Sequence, residues 1–220
     1  MGEMKAFDCF QCPACSPHQK AVAIDGNRKL YRFRKQEGNT DKALFHGVFV
    51  APDDEVANFV DTIRAVTTHK SGRGSCGNTA ARETSQKSRA RLDEEGLEIA
   101  VCRHGFLQGA LNMCRGEIFA YPLFLHRKLR ADFVCTDIAC KYWPYLCRVG
   151  DARADIKELS EKTKPFLSVM HAKAHSLKCE IKWGGMNQIG AGKTLGEEVE
   201  QVNSYMSRVG FTTKHMTKAG

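Results

Sequence analysis

Two carboxylates close two apolar runs: Asp25 follows Ala21-Val22-Ala23-Ile24, and Asp137 follows Phe133-Val134-Cys135-Thr136. Each run reads as a short buried strand, which places each acid at a sheet end. A third acidic position lies late in the chain. There Glu197 and Glu200 fall on the polar side of a helical pattern whose apolar stripe is Leu195, Val199, Val202, Met206 and Val209. Carboxylates converging from two strand ends and a helix edge make an oxygen-rich donor set for Mg²⁺ or Mn²⁺. A pair of such ions activates the attacking oxygen and stabilises the leaving oxygen in phosphodiester cleavage. The competing readings are structural. Asp25 before Gly26-Asn27 is also a turn former bonding its own backbone, and both glutamates also suit a solvated helix face.

Sulfur and imidazole make a second donor set. The chain has 10 cysteines. Cys12-Pro13-Ala14-Cys15 has the C-x-x-C spacing of half a tetrahedral zinc site, and Cys102-Arg103-His104 offers the other half, with Cys76 as a competing donor. The alternative is that these are core residues, the usual fate of lone Cys and His on strands. A thioredoxin-type redox pair is disfavoured, because that motif needs a strand-to-helix junction and this one precedes a strand. His171, His175 and Cys179 would share one face of a helix, but Phe166-Leu167-Ser168-Val169-Met170 reads as a strand ending at His171. The three are a further potential ligand set, with His171 and His175 equally readable as hydrogen-bonded structural histidines or as cleft residues near the metals. Cys114, Cys135, Cys140 and Cys147 lie in apolar or mixed segments and read as core. Gly190-Ala191-Gly192-Lys193-Thr194 looks like the end of a phosphate-binding loop, but Asn187 stands where that pattern requires glycine, so ATP binding is disfavoured.

The elements that must position these groups follow from pattern. The first strand turns at Gly26-Asn27 into an antiparallel return through Leu30, Tyr31 and Phe33, and residues 45–50 form a second return. Pro52-Asp53-Asp54-Glu55 opens a helix with apolar stripe Val56, Phe59, Val60 and Ile63. Leu97 to Cys102 is a strand, Ile118 to Leu129 a helix, Asp132 to Asp137 a strand and 151–163 a charged helix. The last helix begins near Leu195, with Thr194 and Glu197 as a capping box.

The 220 residues suit a single core, expected as one domain over 1–220 with a zinc knuckle at 9–20 and a helical and basic-loop insertion at 51–95. The net charge of +8 favours a polyanionic partner. Lys70, Arg73, Arg82, Lys87, Arg89 and Arg91 oppose only Glu83 in a Gly- and Ser-rich stretch, and Arg127, Lys128 and Arg130 form a second basic patch. Both are candidates for phosphate contact, with a solvated linker as the rival for the first. No apolar run reaches the length of a membrane span or signal peptide, which gives the expectation of a soluble intracellular protein.

Strand-Asp, antiparallel strands, helix, strand-Asp and late helix-Glu is the order in which RNase H-like nucleases and transposases assemble their acids. Five segments in order sharpen the likeness: Ala23-Ile24-Asp25-Gly26-Asn27, Val101-Cys102-Arg103-His104-Gly105, Asp137-Ile138-Ala139-Cys140-Lys141-Tyr142, His171-Ala172-Lys173-Ala174-His175, and Gly190-Ala191-Gly192 through Gly196-Glu197-Glu198-Val199-Glu200-Gln201. Together they resemble the KDZ (Kyakuja-Dileera-Zisupton) family of DDE transposases, over Cys12 to Lys214. The resemblance implies an RNase H-like α/β fold, a mixed sheet flanked by helices. It implies DNA transposition with Mg²⁺ or Mn²⁺, element ends and target DNA as partners, a homo-oligomer and a nuclear location. It makes Asp25 and Asp137 the catalytic aspartates and supports a zinc-stapled first strand. Glu200 is favoured over Glu197 as third acid because Glu197 has its capping box. One departure is plain: the family commonly has tryptophan where Asn203 stands here, followed by serine, as Ser204. The rivals are a domesticated, inactive, zinc-stabilised DNA-binding protein and an RNase H-like nuclease on other substrates.

Overall fold

The computed structural model describes residues 12–15, 18–34, 47–67 and 91–217. Lys70, Arg73, Cys76, Arg82, Lys87 and Arg89 lie outside the described residues.

The centre of the molecule is β1 (Ala21–Asn27). Its first four residues are buried, and such a continuous apolar run belongs in the middle of a sheet covered on both faces. β1 pairs antiparallel with β4 (Leu97–Cys102), from Val22 opposite Cys102 to Asn27 opposite Leu97, and β4 pairs antiparallel with β5 (Leu107–Asn112). On its other side β1 runs parallel to β6 (Phe133–Cys135), which runs parallel to β7 (Lys164–Phe166). The five-stranded mixed sheet has the order β5-β4-β1-β6-β7.

Side chains alternate across β1, and the two sets meet different layers. Val22 and Ile24 pack with α1 (Asp53–Thr67), α2 (Ala120–Leu129), α3 (Ala139–Gly150) and α4 (Ala154–Lys162). Ala21 and Ala23 face the layer containing Val199 of α7 (Glu198–Met206). Asp25 shares the parity of those alanines, and α7 lies where it can reach it. Burying side chains such as Ile24, Leu123 and Phe124 stabilises the fold by about 1.5–3 kcal/mol each. The stripe Val56, Phe59, Val60 and Ile63 is buried, as its spacing predicts.

Several local expectations are corrected. Gly26-Asn27 is not a hairpin turn. β1 continues through both residues, and Asn27 caps the 3₁₀ turn Arg28–Leu30 by accepting the Lys29 N–H at 3.1 Å. β2 (Arg32–Phe33) pairs with β3 (Leu92–Glu94) rather than with β1. Of the second return, Val50 bridges Ala110 beside β5 in parallel fashion, while 45–46 lie outside the described residues.

The segment after β7 is helical, not a strand ending at His171: α5 spans Val169–Ala174 and α6 Leu177–Trp183. The capping box is also absent. Thr194 donates to the Ala191 carbonyl at 2.8 Å, Gly196 takes a left-handed φ of +79°, and α7 starts only at Glu198. Leu195 and Val209 are half exposed and stand off the buried stripe. Cys135 is core, but Cys114 and Cys147 are exposed and Cys140 is half-buried. The last helical turn of the described chain is α8 (Gly210–Thr213).

Candidate functional site

β1 and β6 are parallel neighbours whose last registered pair is Ala23 with Cys135. Two residues further along each chain stand Asp25, inside β1 just beyond its parallel pairing, and Asp137, just past the end of β6, on the carboxyl side of the parallel pair where open α/β sheets bind ligands. Both line a cleft of about 150 Å³ whose walls include Glu98, Glu117, Ile118 and Phe119. α7 brings Glu200 to the same place. Ligand atoms of Asp137, Glu200 and His171 lie within 4.8 Å of one another.

His171 was expected at a strand end, as a structural histidine or a cleft residue near the metals; it lies on α5, not on a strand, and points into this cluster. Its Nε2 lies 3.2 Å from Asp137 Oδ2 and 3.7 Å from Glu200 Oε1. Its Nδ1 shares a 2.9 Å hydrogen bond with the hydroxyl of Ser168, a fully buried residue. One ring nitrogen is therefore fixed by the protein while the other faces the acids. Asp25 is held from α7, where Asn203 Nδ2 donates to Asp25 Oδ2 at 2.8 Å.

The electrostatics are those of crowded carboxylates. Burial first, then the facing Asp137 and Glu200 charges, push Asp25 up to about 7 from an ordinary 3.8. Burial, then Glu200 and Glu197, push Asp137 up to about 7. Glu98 lies deeper still; burial, then Asp25 and Glu117, raise it well above the usual carboxylate range. Among the described residues no Lys or Arg pairs with Asp25, Asp137 or Glu200. A cleft of oxygen donors without a cationic side chain fits a hard divalent cation.

Glu197 is engaged elsewhere. Its Oε1 accepts the Met170 N–H at 2.7 Å, which ties the start of α7 to the first turn of α5. Its structural task is thus a contact between elements, not the capping box.

The sulfur set comes together as its spacing predicts. Ligand atoms of Cys12, Cys15, Cys102 and His104 all lie within 4.8 Å of one another. The three thiols stand 3.6, 3.3 and 3.9 Å from His104 Nδ1. Sulfur and nitrogen ligands on one tetrahedral Zn²⁺ are about 3.5 Å apart, so the quartet can hold such a metal with little adjustment. Burial, then the nearby Cys102 thiol, push Cys15 up to about 12, so a cation has to stabilise its thiolate. The quartet joins the 3₁₀ turn Pro13–Cys15 ahead of β1 to the end of β4.

The model of the Kyakuja-Dileera-Zisupton (KDZ) transposase family matches residues 18–220, nearly the whole chain. The chain belongs to the KDZ transposase family. No curated protein and no solved structure matches it. KDZ membership makes phosphodiester breakage and joining on DNA the kind of chemistry to seek, and the +8 net charge accords with such a substrate. Among the described residues no helix is long and apolar enough to cross a membrane.

The KDZ chain's basic residues are more committed than their sequence indicates. Arg127 pairs with Asp155 at 3.3 Å and Lys128 with Glu55 at 2.6 Å, while their charges also sit over Phe59 and Phe124. Arg130 terminates α2 with φ +37°. Sequence reasoning missed Glu98 and Glu117. Glu98 had a usable signal, being one acid inside the otherwise apolar strand Leu97–Cys102. Glu117 had none.

Proposed function

We propose that this KDZ chain is a DDE-type transposase catalytic domain of RNase H-like architecture, with Asp25, Asp137 and Glu200 as its metal-binding acids. The observation that carries the reading is the convergence of the three carboxylates, from β1, from the end of β6 and from α7, on one cleft edge with no Lys or Arg partner among the described residues. A sheet of antiparallel and then parallel strands, with the first strand central and acids on the carboxyl side of the parallel pair β1 and β6, supports the RNase H-like part.

Bound Mg²⁺ or Mn²⁺ would supply Lewis-acid activation of the attacking oxygen and stabilisation of the leaving one. Asp25, Asp137 and Glu200 would hold it through oxygen. His171, fixed by Ser168, steadies Asp137 and Glu200 relative to one another. Asn203 orients Asp25. The same acids would serve hydrolysis at an element end and transfer of the freed 3′-hydroxyl to target DNA. Arg91, Arg130 and the basic stretch from Lys70 to Arg89 are the proposed phosphate contacts; Arg127 and Lys128 would first have to leave their carboxylate partners.

The test is metal-dependent nicking of an element-end duplex by the purified chain and by Asp25→Ala. The reading expects nicking with Mg²⁺ or Mn²⁺ and its loss in the variant, and unchanged nicking by Asp25→Ala overturns it. A second reading, a domesticated non-catalytic DNA-binding descendant, draws on Asn203. It stands where the family commonly has tryptophan, and its amide engages an oxygen of Asp25.

A further inference from the structure

Beyond the carboxylate cleft and the quartet ahead of β1, the described residues bring together another group of soft donors. Cys140 is the second residue of α3, His175 follows α5 directly, and Cys179 is the third residue of α6. Their ligand atoms lie within 4.8 Å of one another, and Cys140 Sγ is 3.6 Å from His175 Nδ1. That separation matches the roughly 3.5 Å expected between sulfur and nitrogen on one tetrahedral Zn²⁺. Among the described residues no cysteine is in a disulfide.

The surroundings also suit a metal. The His175 side chain is also hydrogen-bonded to the backbone of Asp137, which ties the imidazole to the stretch that leads into α3. Cys179 is held by its own N–H, which bonds the Ser176 carbonyl at 2.8 Å.

The helices themselves need a staple. α5 has six residues and α6 seven, well below the length at which a helix persists in water on its own. Their core is small: Ala172 of α5 and Cys179 of α6 pack with Ala139 and Leu167, with Cys140 and Trp183 against them, while Met170, Leu177 and Ile181 are mostly exposed. A site contributed by three elements, two of which have almost no core of their own, is where a metal adds the most to folding.

We propose that Cys140, His175 and Cys179 bind a second, structural zinc ion, with water as its fourth ligand, and that this ion clips α5 and α6 to the first turn of α3. The clip would hold Asp137, three residues before Cys140, and His171, four residues before His175, on one block. The inference does not rest on the transposase reading, since an inactive chain would carry the ion equally.

The experiment is the zinc content of the purified full chain by mass spectrometry, with stepwise metal release as thiols are titrated by a mercurial reagent. The expected content is about two ions per chain, falling to about one in Cys179→Ser and also to about one in Cys102→Ser. Cobalt-loaded Cys102→Ser is expected to keep the visible absorption of a site with two thiolates and one imidazole. About one ion in the wild-type chain, lost in Cys102→Ser, overturns the proposal. So does a Cys179→Ser chain that keeps its full zinc content, or a disulfide between Cys140 and Cys179 in the freshly purified protein. If Cys179→Ser fails to fold, the wild-type count and the two release steps decide. None of these readouts depends on DNA cleavage, so failure here is distinguishable from failure of the catalytic assignment.

Discussion

Asn203 donates a 2.8 Å hydrogen bond from its side-chain amide to Oδ2 of Asp25, which fixes α7 against β1 at the point where the acids meet. Asn203 is 7 % exposed, and its Oδ1 has no partner among the described residues. The bond orients one metal ligand at the expense of a buried, unsatisfied oxygen. Asn203→Ala removes both, so stability should change by no more than about 1–2 kcal/mol in urea unfolding. The Mg²⁺ concentration for half-maximal nicking should rise about 10-fold, as when a hydrogen bond to a ligating carboxylate is lost. A fall in that concentration would instead mark Asn203 as an obstruction and favour the non-catalytic reading.

Glu200 and Glu197 separate by what they touch. Glu200 faces Asp137 and His171, whereas Glu197 accepts the Met170 N–H. Glu200→Gln should reduce nicking by at least about 100-fold while leaving the melting temperature nearly unchanged or slightly raised, because it relieves repulsion. Glu197→Gln should keep most of the activity and melt about 2–4 °C lower, since it weakens the link between α7 and α5. Nicking rates and melting curves of the two variants, read together, assign the third acid; the opposite pattern transfers that role to Glu197.

The strand-borne half of the site was legible in the sequence, and the helix-borne half only in part. Asp25 and Asp137 could be found because a buried strand writes itself as an apolar run and an acid that ends it is conspicuous. The spacing Cys12-x-x-Cys15 with Cys102-x-His104 likewise survives in sequence because each half of the quartet is local. Phe166 to Met170 was not readable. Five apolar or small residues suit a buried strand and the start of a short helix equally, and here the change falls inside the run, after Phe166. That single ambiguity left His171 open between a structural histidine and a cleft residue near the metals, and it hid the grouping of His175 and Cys179 with Cys140. The Gly26-Asn27 dipeptide misled for a different reason: Asn27 caps a 3₁₀ turn beyond the strand, a use local pattern does not distinguish from a hairpin.

The raised carboxylates give a pH signature. Asp25 and Asp137 are held at about 7 in the folded protein, against an ordinary 3.8. A raised acid favours the folded state below its unfolded value and loses that contribution as pH climbs through the folded value. Without added Mg²⁺ these two groups should therefore reduce stability progressively between about pH 4 and pH 7. A cation bound to the ionised carboxylates offsets this loss, so its stabilising effect should be small at pH 5 and larger at pH 8. Melting temperatures with and without MgCl₂ at both pH values check it. An equal shift at the two pH values would mean that the cation binds elsewhere.

The quartet of Cys12, Cys15, Cys102 and His104 staples the approach to β1 onto the end of β4, where Val22 pairs with Cys102. Cys15→Ser should lower the melting temperature substantially, by about 10 °C or more, because a structural zinc contributes several kcal/mol. Chelation should lower it at least as far, since it would also strip the ion proposed at Cys140, His175 and Cys179, and the loss should be reversed by Zn²⁺ and not by Mg²⁺. A chain whose melting is indifferent to a zinc chelator would show that these four residues hold no structural zinc.

Gly196 sets the distance between Glu200 and the strand ends. Its φ of +79° is costly for any residue with a side chain, and a Cβ there would run into Cys135 Sγ at the end of β6 and sit 3.0 Å from the Phe166 ring. Because Cys135 and Phe166 are fully packed, the strain cannot be absorbed by the sheet and must displace the chain at Gly196, four residues before Glu200, and with it the start of α7. Gly196→Ala should cost about 1–3 kcal/mol in stability and reduce nicking by more than that stability loss explains, since the third acid moves. Chemical denaturation and nicking rates measured at a temperature where the variant is fully folded separate the two effects. Wild-type nicking under those conditions would show that the position of α7 is not coupled to the left-handed turn before it.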